Sequence, residues 1–325
     1  MVLDAARASV ATSLGVRPQE VFFTSSGPTA VGTAVQGLLE ASRTGSGRVV
    51  ASAVESLAVL SPVRRWAADL ELVPVSRTGA IDLASLAEAL ARPTALACIQ
   101  AANGEVGTRQ PLAAVHDLTR SAGVPLLVHA VQVIGRGPVP QDWDVLAAAA
   151  RDWGGPAGVG ILLVRPSARW MPEENPDRGW VGGFPDIAGA AAAATALEYL
   201  GPHVEAESAR LRAMTARIRR ALPPMDSGID VTGDPDDRLP HIVTFTCAGL
   251  TGEVLVHELD RRGISVASGS ACTSDTRLPS QVLDAMGLAA DASLRVSLPY
   301  GCTDATVDAF LRALPDALHA ARSGA

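Results

Sequence analysis

The 325-residue chain contains no lysine: all 27 of its Lys/Arg-class residues are arginine. No side chain can therefore offer a primary amine to a carbonyl, and the α-amino group of Met1 is the only amine left for that chemistry. There is also no run of five or six basic residues, and the formal charge is −7. A nucleic acid or an anionic membrane would find no electrostatic footprint, so neither is an expected partner. Cysteine is sparse. Cys98, Cys247, Cys272 and Cys302 form no CxxC pair, and the six histidines show no ligand spacing. Metal centres and thioredoxin-like redox chemistry are thereby disfavoured, and a reducing cytoplasm is the expected location. The opening residues carry acidic and basic side chains at helical spacing rather than a basic segment followed by an apolar one, so no secretory signal is expected. The longest bland stretch, residues 187–200, is shorter than the roughly 20 residues of a bilayer span. No Gly-x-Ser-x-Gly elbow and no P-loop occur, which leaves hydrolase and nucleotide-binding readings without support.

What the chain does have is 48% hydrophobic residues, ample for a large core. Short apolar or β-branched runs fall at residues 21–24, 48–52, 70–74, 94–101, 125–129, 145–150 and 160–164, separated mostly by helix-length amphipathic segments. That alternation predicts an α/β fold, a mostly parallel sheet flanked by helices. From about residue 202 the pattern changes to a long Arg/Glu/Ala helix through Ala221, a Pro/Asp/Gly-rich loop at 223–240, then strand, helix, strand and helix. The expected organisation is a large α/β domain over 1–200 and a smaller α+β domain over 201–325.

Near the C-terminus, Ser-Gly-Ser-Ala-Cys-Thr-Ser (Ser268 to Ser274) follows Ile-Ser-Val-Ala. Further ordered stretches are Val-Phe-Phe-Thr-Ser (Val21 to Ser25), Val-Glu-Ser-Leu-Ala-Val-Leu (Val54 to Leu60) and Asn-Gly-Glu-Val-Gly (Asn103 to Gly107). They continue with His-Ala-Val-Gln-Val-Ile-Gly (His129 to Gly135), Gly-Gly-Pro-Ala-Gly-Val-Gly (Gly154 to Gly160) and Leu-Arg-Val-Ser-Leu (Leu294 to Leu298). In order and spacing these resemble the cysteine desulfurases, within the class V aminotransferase-like, fold-type I group that uses pyridoxal phosphate. The resemblance implies a fold-type I aminotransferase-like architecture. It begins partway into the family's pattern, so the family's N-terminal segment, near its cofactor and dimer interface, is expected to be missing from the large domain.

Position by position, the resemblance also implies that much of the family's chemistry is replaced. The family's Ser-x-His-Lys stretch, which carries the Schiff-base lysine, reads Ala149, Ala150, Arg151 and Asp152. The aspartate that pairs with the pyridine nitrogen is matched by His129, and the ring-stacking histidine by Ser56. The phosphate loop reads Ser25 to Ala30 with Pro28 inserted, and proline removes one backbone donor. The cross-subunit arginine and threonine fall at Trp180 and Gly183. These replacements lead to the expectation that no cofactor is bound, the family's pyridoxal phosphate having been lost.

Four family positions survive. Asn103 and Gln132 match residues that hydrogen-bond the ring oxygen and substrate, Arg295 matches the substrate-carboxylate clamp, and Cys272 matches the persulfide-forming cysteine. Asn103 and Gln132 read equally as strand-end or turn caps, and Arg295 as one half of an ion pair with Asp152 or Glu105. Cys98 and Cys247 sit in apolar strand patterns and read as packing. The functional expectation is a degenerate cysteine desulfurase-like protein, unable to form a lysine Schiff base, that carries sulfur on Cys272. The alternatives are a non-catalytic structural or regulatory subunit, and a repurposed enzyme using Asp152, Arg151, His129 and Cys272 in the old pocket. Expected partners are a second copy or a desulfurase-like paralogue in a dimer, and a protein that donates or accepts sulfur.

Overall fold

Why the first apolar runs become strands is visible in their surroundings. The computed structural model describes residues 1–42, 45–172, 177–269 and 280–323. Seven strands, β1 (Val21–Thr24), β2 (Arg48–Ser52), β3 (Asp69–Val73), β4 (Leu96–Gln100), β5 (Leu126–His129), β6 (Val145–Ala149) and β7 (Gly160–Val164), form one sheet in the order β1-β7-β6-β5-β4-β2-β3. Only β7 runs against its neighbours β1 and β6. Strands β2, β4, β6 and β7 are buried at every residue. Covered on both faces, a strand reads as a continuous apolar run instead of an alternating one.

The covering helices are amphipathic. Helices α1 (Val2–Leu14), α2 (Gly27–Glu40), α3 (Leu57–Trp66), α4 (Leu83–Leu90), α5 (Leu112–Ser121) and α6 (Ile187–Leu200) accompany this sheet. Along α2 the buried residues Ala30, Val31, Ala34, Val35 and Leu38 recur at helical spacing. They share one core with Val59, Leu60 and Val63 of α3 and with Leu96, Leu127, Val145 and Leu162 of the sheet. On the opposite side of the sheet order, the edge strand β3 exposes Asp69 and much of its length, which discourages pairing with another chain. Its Glu71 meets the buried Arg48 guanidinium and, at 2.8 Å, Arg92. Arg48 is further held by Thr94 and by the Ala89 carbonyl at 3.0 Å. Because Asp69 still faces Arg48 at 3.8 Å, Glu71→Gln should cost only about 1 kcal/mol, measurable as a lowered urea midpoint at unchanged m-value.

The second unit is built on an antiparallel sheet. Helix α7 (Val204–Ala221) precedes β8 (Ile229–Val231) and β9 (Ile242–Cys247), then α8 (Gly252–Asp260), α9 (Gln281–Ala285), β10 (Ser293–Ser297) and α10 (Asp304–Ser323). The strand order is β10-β9-β8. Leu211, Met214 and Ile218 of α7, Phe245 of β9, Leu255 and Leu259 of α8, and Leu314 and Leu318 of α10 bury one another. By internal contacts the chain divides into residues 1–74, 81–102 and 110–204 as one unit and 75–80, 103–109 and 205–325 as the other. Among the described residues no helix is long and apolar enough to cross a membrane.

Candidate functional site

In an open α/β sheet the productive edge lies at the carboxyl ends of the parallel strands, between adjacent strands whose outgoing connections depart in opposite senses. Here those strands are β2, which leads to β3 on one side, and its neighbour β4, which leads to β5 on the other. The loop after it is tightly built. Ala53 N–H donates to the Val73 carbonyl, Glu55 N–H to Ser52, and the Gln100 side chain at the end of β4 donates to the Val54 carbonyl. Glu55 and Ser56 are thereby fixed at the start of α3.

His129 ends β5, paired in register with Gln100. Its Nδ1 lies 3.3 Å from Ser56 Oγ and 3.6 Å from Glu55 Oε1. The Glu55 side chain is 0% exposed. Its Oε1 also accepts from Ser56 N–H at 2.7 Å, while its buried Oε2 has no hydrogen-bond partner.

After β6 the chain makes a 3₁₀ turn, Ala150–Trp153, ended by Gly154 at φ 84°. Trp153 pins that turn to α6 by donating its indole N–H to the Ala193 carbonyl at 3.1 Å. Asp152 is consequently held largely out of water, and burial pushes its carboxyl up to about 6 despite the opposing charges of Arg151, His129 and Arg136. Its Oδ2 has no hydrogen-bond partner, and the Arg151 Nε contact to Oδ1 is long at 3.8 Å. Arg151 itself is mostly exposed. Gln132 is half-buried in the turn after β5.

The start of α2 is equally specific. Ser26 caps it, accepting from Thr29 N–H at 3.1 Å, and the Thr29 hydroxyl lies 2.7 Å from that of Ser26 and 3.2 Å from that of Ser25. Pro28 has no N–H, and the N–H of Ala30 donates to the Ser26 carbonyl. Trp180 is buried, with its indole N–H on the Gly182 carbonyl, and Gly183 occupies a left-handed turn at φ 64°.

In the second unit Asn103 Oδ1 accepts from the N–H groups of Glu105 and Val106 at 2.8 and 2.9 Å, closing a turn that Gly107 completes at φ 83°. Arg295 on β10 donates to the Gly104 carbonyl at 3.2 Å. Burial raises the Glu105 carboxyl, partly offset by Ser280 and by the charge of Arg295. Thus Ser56, His129, Asp152, Arg151 and Gln132 belong to the first unit, Asn103 and Arg295 to the second. Cys272 lies outside the described residues.

The remaining cysteines, Cys98, Cys247 and Cys302, are buried. Burial drives the Cys98 thiol far up, assisted by the nearby Glu55 charge, and pushes Cys247 up to about 12. Iodoacetamide treatment of the folded protein, read by peptide mass spectrometry, should leave these three unlabelled until denaturant is added. Glu55 is the site residue that sequence reasoning passed over, since an acidic residue beside the first turn of a helix reads as solvated. The signal was its place one residue before Ser56 within Val54 to Leu60.

A six-parallel, one-antiparallel sheet with these strand-end loops defines a fold-type I aminotransferase-like protein, and comparison with known proteins gives the family. The family model for aminotransferase class-V matches residues 1–310. An IscS-like cysteine desulfurase of Mycobacterium tuberculosis is 35% identical, covering 99% of this chain and 87% of the relative. The cysteine desulfurase NifS of Azotobacter vinelandii is 30% identical over 97% of this chain and 81% of its own length. A solved NifS-like protein superposes with a TM-score of 0.88 at 26% identity, covering 98% of this chain and 87% of that one. The chain belongs to the aminotransferase class-V family and is cysteine desulfurase-like.

Membership corrects one expectation. The sequence reading held that no cofactor is bound, whereas the chain belongs to a family whose cofactor is pyridoxal phosphate. The physical reason is that a Schiff base is one attachment among several, and phosphate and ring contacts are separate interactions whose fate the lost lysine does not decide. What the residues exclude is narrower. A lysine-linked cofactor does not fit a chain without lysine.

Proposed function

We propose that the chain handles sulfur, with Cys272 accepting a sulfur atom from the persulfide of a partner protein and passing it on. The observation that carries this reading is the Ser268 to Ser274 heptapeptide, which resembles the family's persulfide-forming loop and stands in a chain that has no lysine and whose relatives are cysteine desulfurases. Burial of Cys98, Cys247 and Cys302 supports it by removing competing thiols.

The transfer balances without an external oxidant. The Cys272 thiolate attacks the outer sulfur of the donor's persulfide, one sulfur–sulfur bond forms as the donor's breaks, and the donor leaves as a thiol after taking up the proton. Incubation with an active cysteine desulfurase and cysteine should add the mass of one sulfur atom to the intact chain, mapped to Cys272 and absent from Cys272→Ser. Sulfur on another cysteine, or on none, would contradict the reading.

A further inference from the structure

We propose that Glu55 is a positioning residue for His129: the buried carboxylate, aided by the Ser56 hydroxyl, holds the imidazole in its Nδ1–H form and leaves Nε2 as the atom that accepts a proton. This inference concerns the first unit alone and does not depend on sulfur transfer at Cys272.

Three observations converge. The Glu55 side chain is fully buried by a loop tied down on three sides, by Val73, Ser52 and Gln100, so it cannot swing out to water. Its Oε1 stands 3.6 Å from His129 Nδ1, and Ser56 Oγ stands 3.3 Å from the same nitrogen. Its Oε2 has no hydrogen-bond partner. A buried carboxylate that accepts and cannot donate favours a proton on whichever ring nitrogen faces it. A serine hydroxyl is neutral to that choice, because it can donate or accept; next to Glu55 it is driven to accept. The opposite tautomer would aim a lone pair at a desolvated negative charge. The same principle orients metal-binding and catalytic imidazoles, in which the partner of one ring nitrogen sets the state of the other.

The other ionisable groups around this ring do not replace Glu55. Cys98, on β4, is a thiol whose proton is held tightly by burial. Asp152 and Arg136 act on one another and, in the case of Asp152, on His129 electrostatically, while Arg151 is mostly exposed and faces Asp152. Gln100 is occupied with the Val54 carbonyl. Only Glu55 pairs with Nδ1 among the described carboxylates.

Long-range nitrogen–proton NMR of ¹⁵N-histidine-labelled full-length protein in alkaline buffer reads the tautomer directly, with the His129 signals assigned from their loss in His129→Gln. In the unaltered protein the Nδ1–H form should dominate. Glu55→Met, which keeps the volume and removes the acceptor, should shift the tautomer ratio at least fivefold toward Nε2–H. Glu55→Gln, which retains an acceptor oxygen, should largely preserve the original form, and Ser56→Ala should leave it dominant. Nε2–H as the majority form in the unaltered protein, or inversion by Ser56→Ala alone, would overturn the proposal. Should Glu55→Met fail to fold, the unaltered protein and Ser56→Ala still decide it.

Discussion

Replacing Asp152 by asparagine should stabilise the protein at pH 7.5 and leave it almost unchanged at pH 4. An ordinary aspartate releases its proton near pH 4 in the unfolded chain, at about 3.9, whereas burial holds the folded group at about 6. Between those values the folded protein keeps a proton that the unfolded chain has lost. Stability therefore falls as pH rises through that window and stays lowered above it. The full shift corresponds to a ceiling of about 3 kcal/mol, at about 1.4 kcal/mol per pH unit. Asparagine cannot ionise but still must be desolvated, so about 1–3 kcal/mol should be recovered. Chemical denaturation of both proteins at pH 4, 6 and 7.5 measures it. Parallel pH curves for the two would show that Asp152 is not the strained acid described above.

The second large effect comes from backbone proximity. A Cβ placed on Gly160 would meet the Ser26 carbonyl oxygen at 2.1 Å and Thr24 Oγ1 at 2.4 Å. Thr24 and Gly160 face each other across β1 and β7. The obstruction is main chain at the mouth of α2, where Ser26 already serves as cap, so no rotamer change relieves it. Gly160→Ala should therefore cost about 3 kcal/mol or more, at the upper end of overpacking. It should also loosen the start of α2, seen as faster amide exchange at Thr29 and Ala30. Gly154→Ala is a useful contrast: nothing lies within 4 Å of its Cβ, so its penalty comes from the left-handed φ of 84° alone, about 1 kcal/mol.

These sites show what a linear reading can and cannot reach. The runs at 21–24, 48–52 and 160–164 became strands with the same limits, because burial there selects mostly apolar residues, as in Val21 to Phe23, Val49 to Ala51 and Ile161 to Val164. Strand β8 escaped notice: three residues with Asp230 at the centre, inside a Pro/Asp/Gly-rich stretch, carry no usable periodicity. The segments 75–80 and 103–109 join the second unit through distant contacts, which a composition shift near residue 200 cannot reveal. His129 and Ser56 were singled out by the family resemblance. Their mutual approach, and Glu55 behind them, arise because β2 and β5 flank β4 in the sheet, a fact of strand order that no local pattern encodes.

The indole of Trp153 adjoins Asp152 in sequence, is 1% exposed and is fastened to the Ala193 carbonyl. A fluorophore shielded from quenchers and locked one residue from an acid that titrates near pH 6 furnishes an intrinsic optical gauge of that acid's charge. The emission of this single chromophore, isolated by exchanging the remaining tryptophans for phenylalanine, would follow the proton without any added dye.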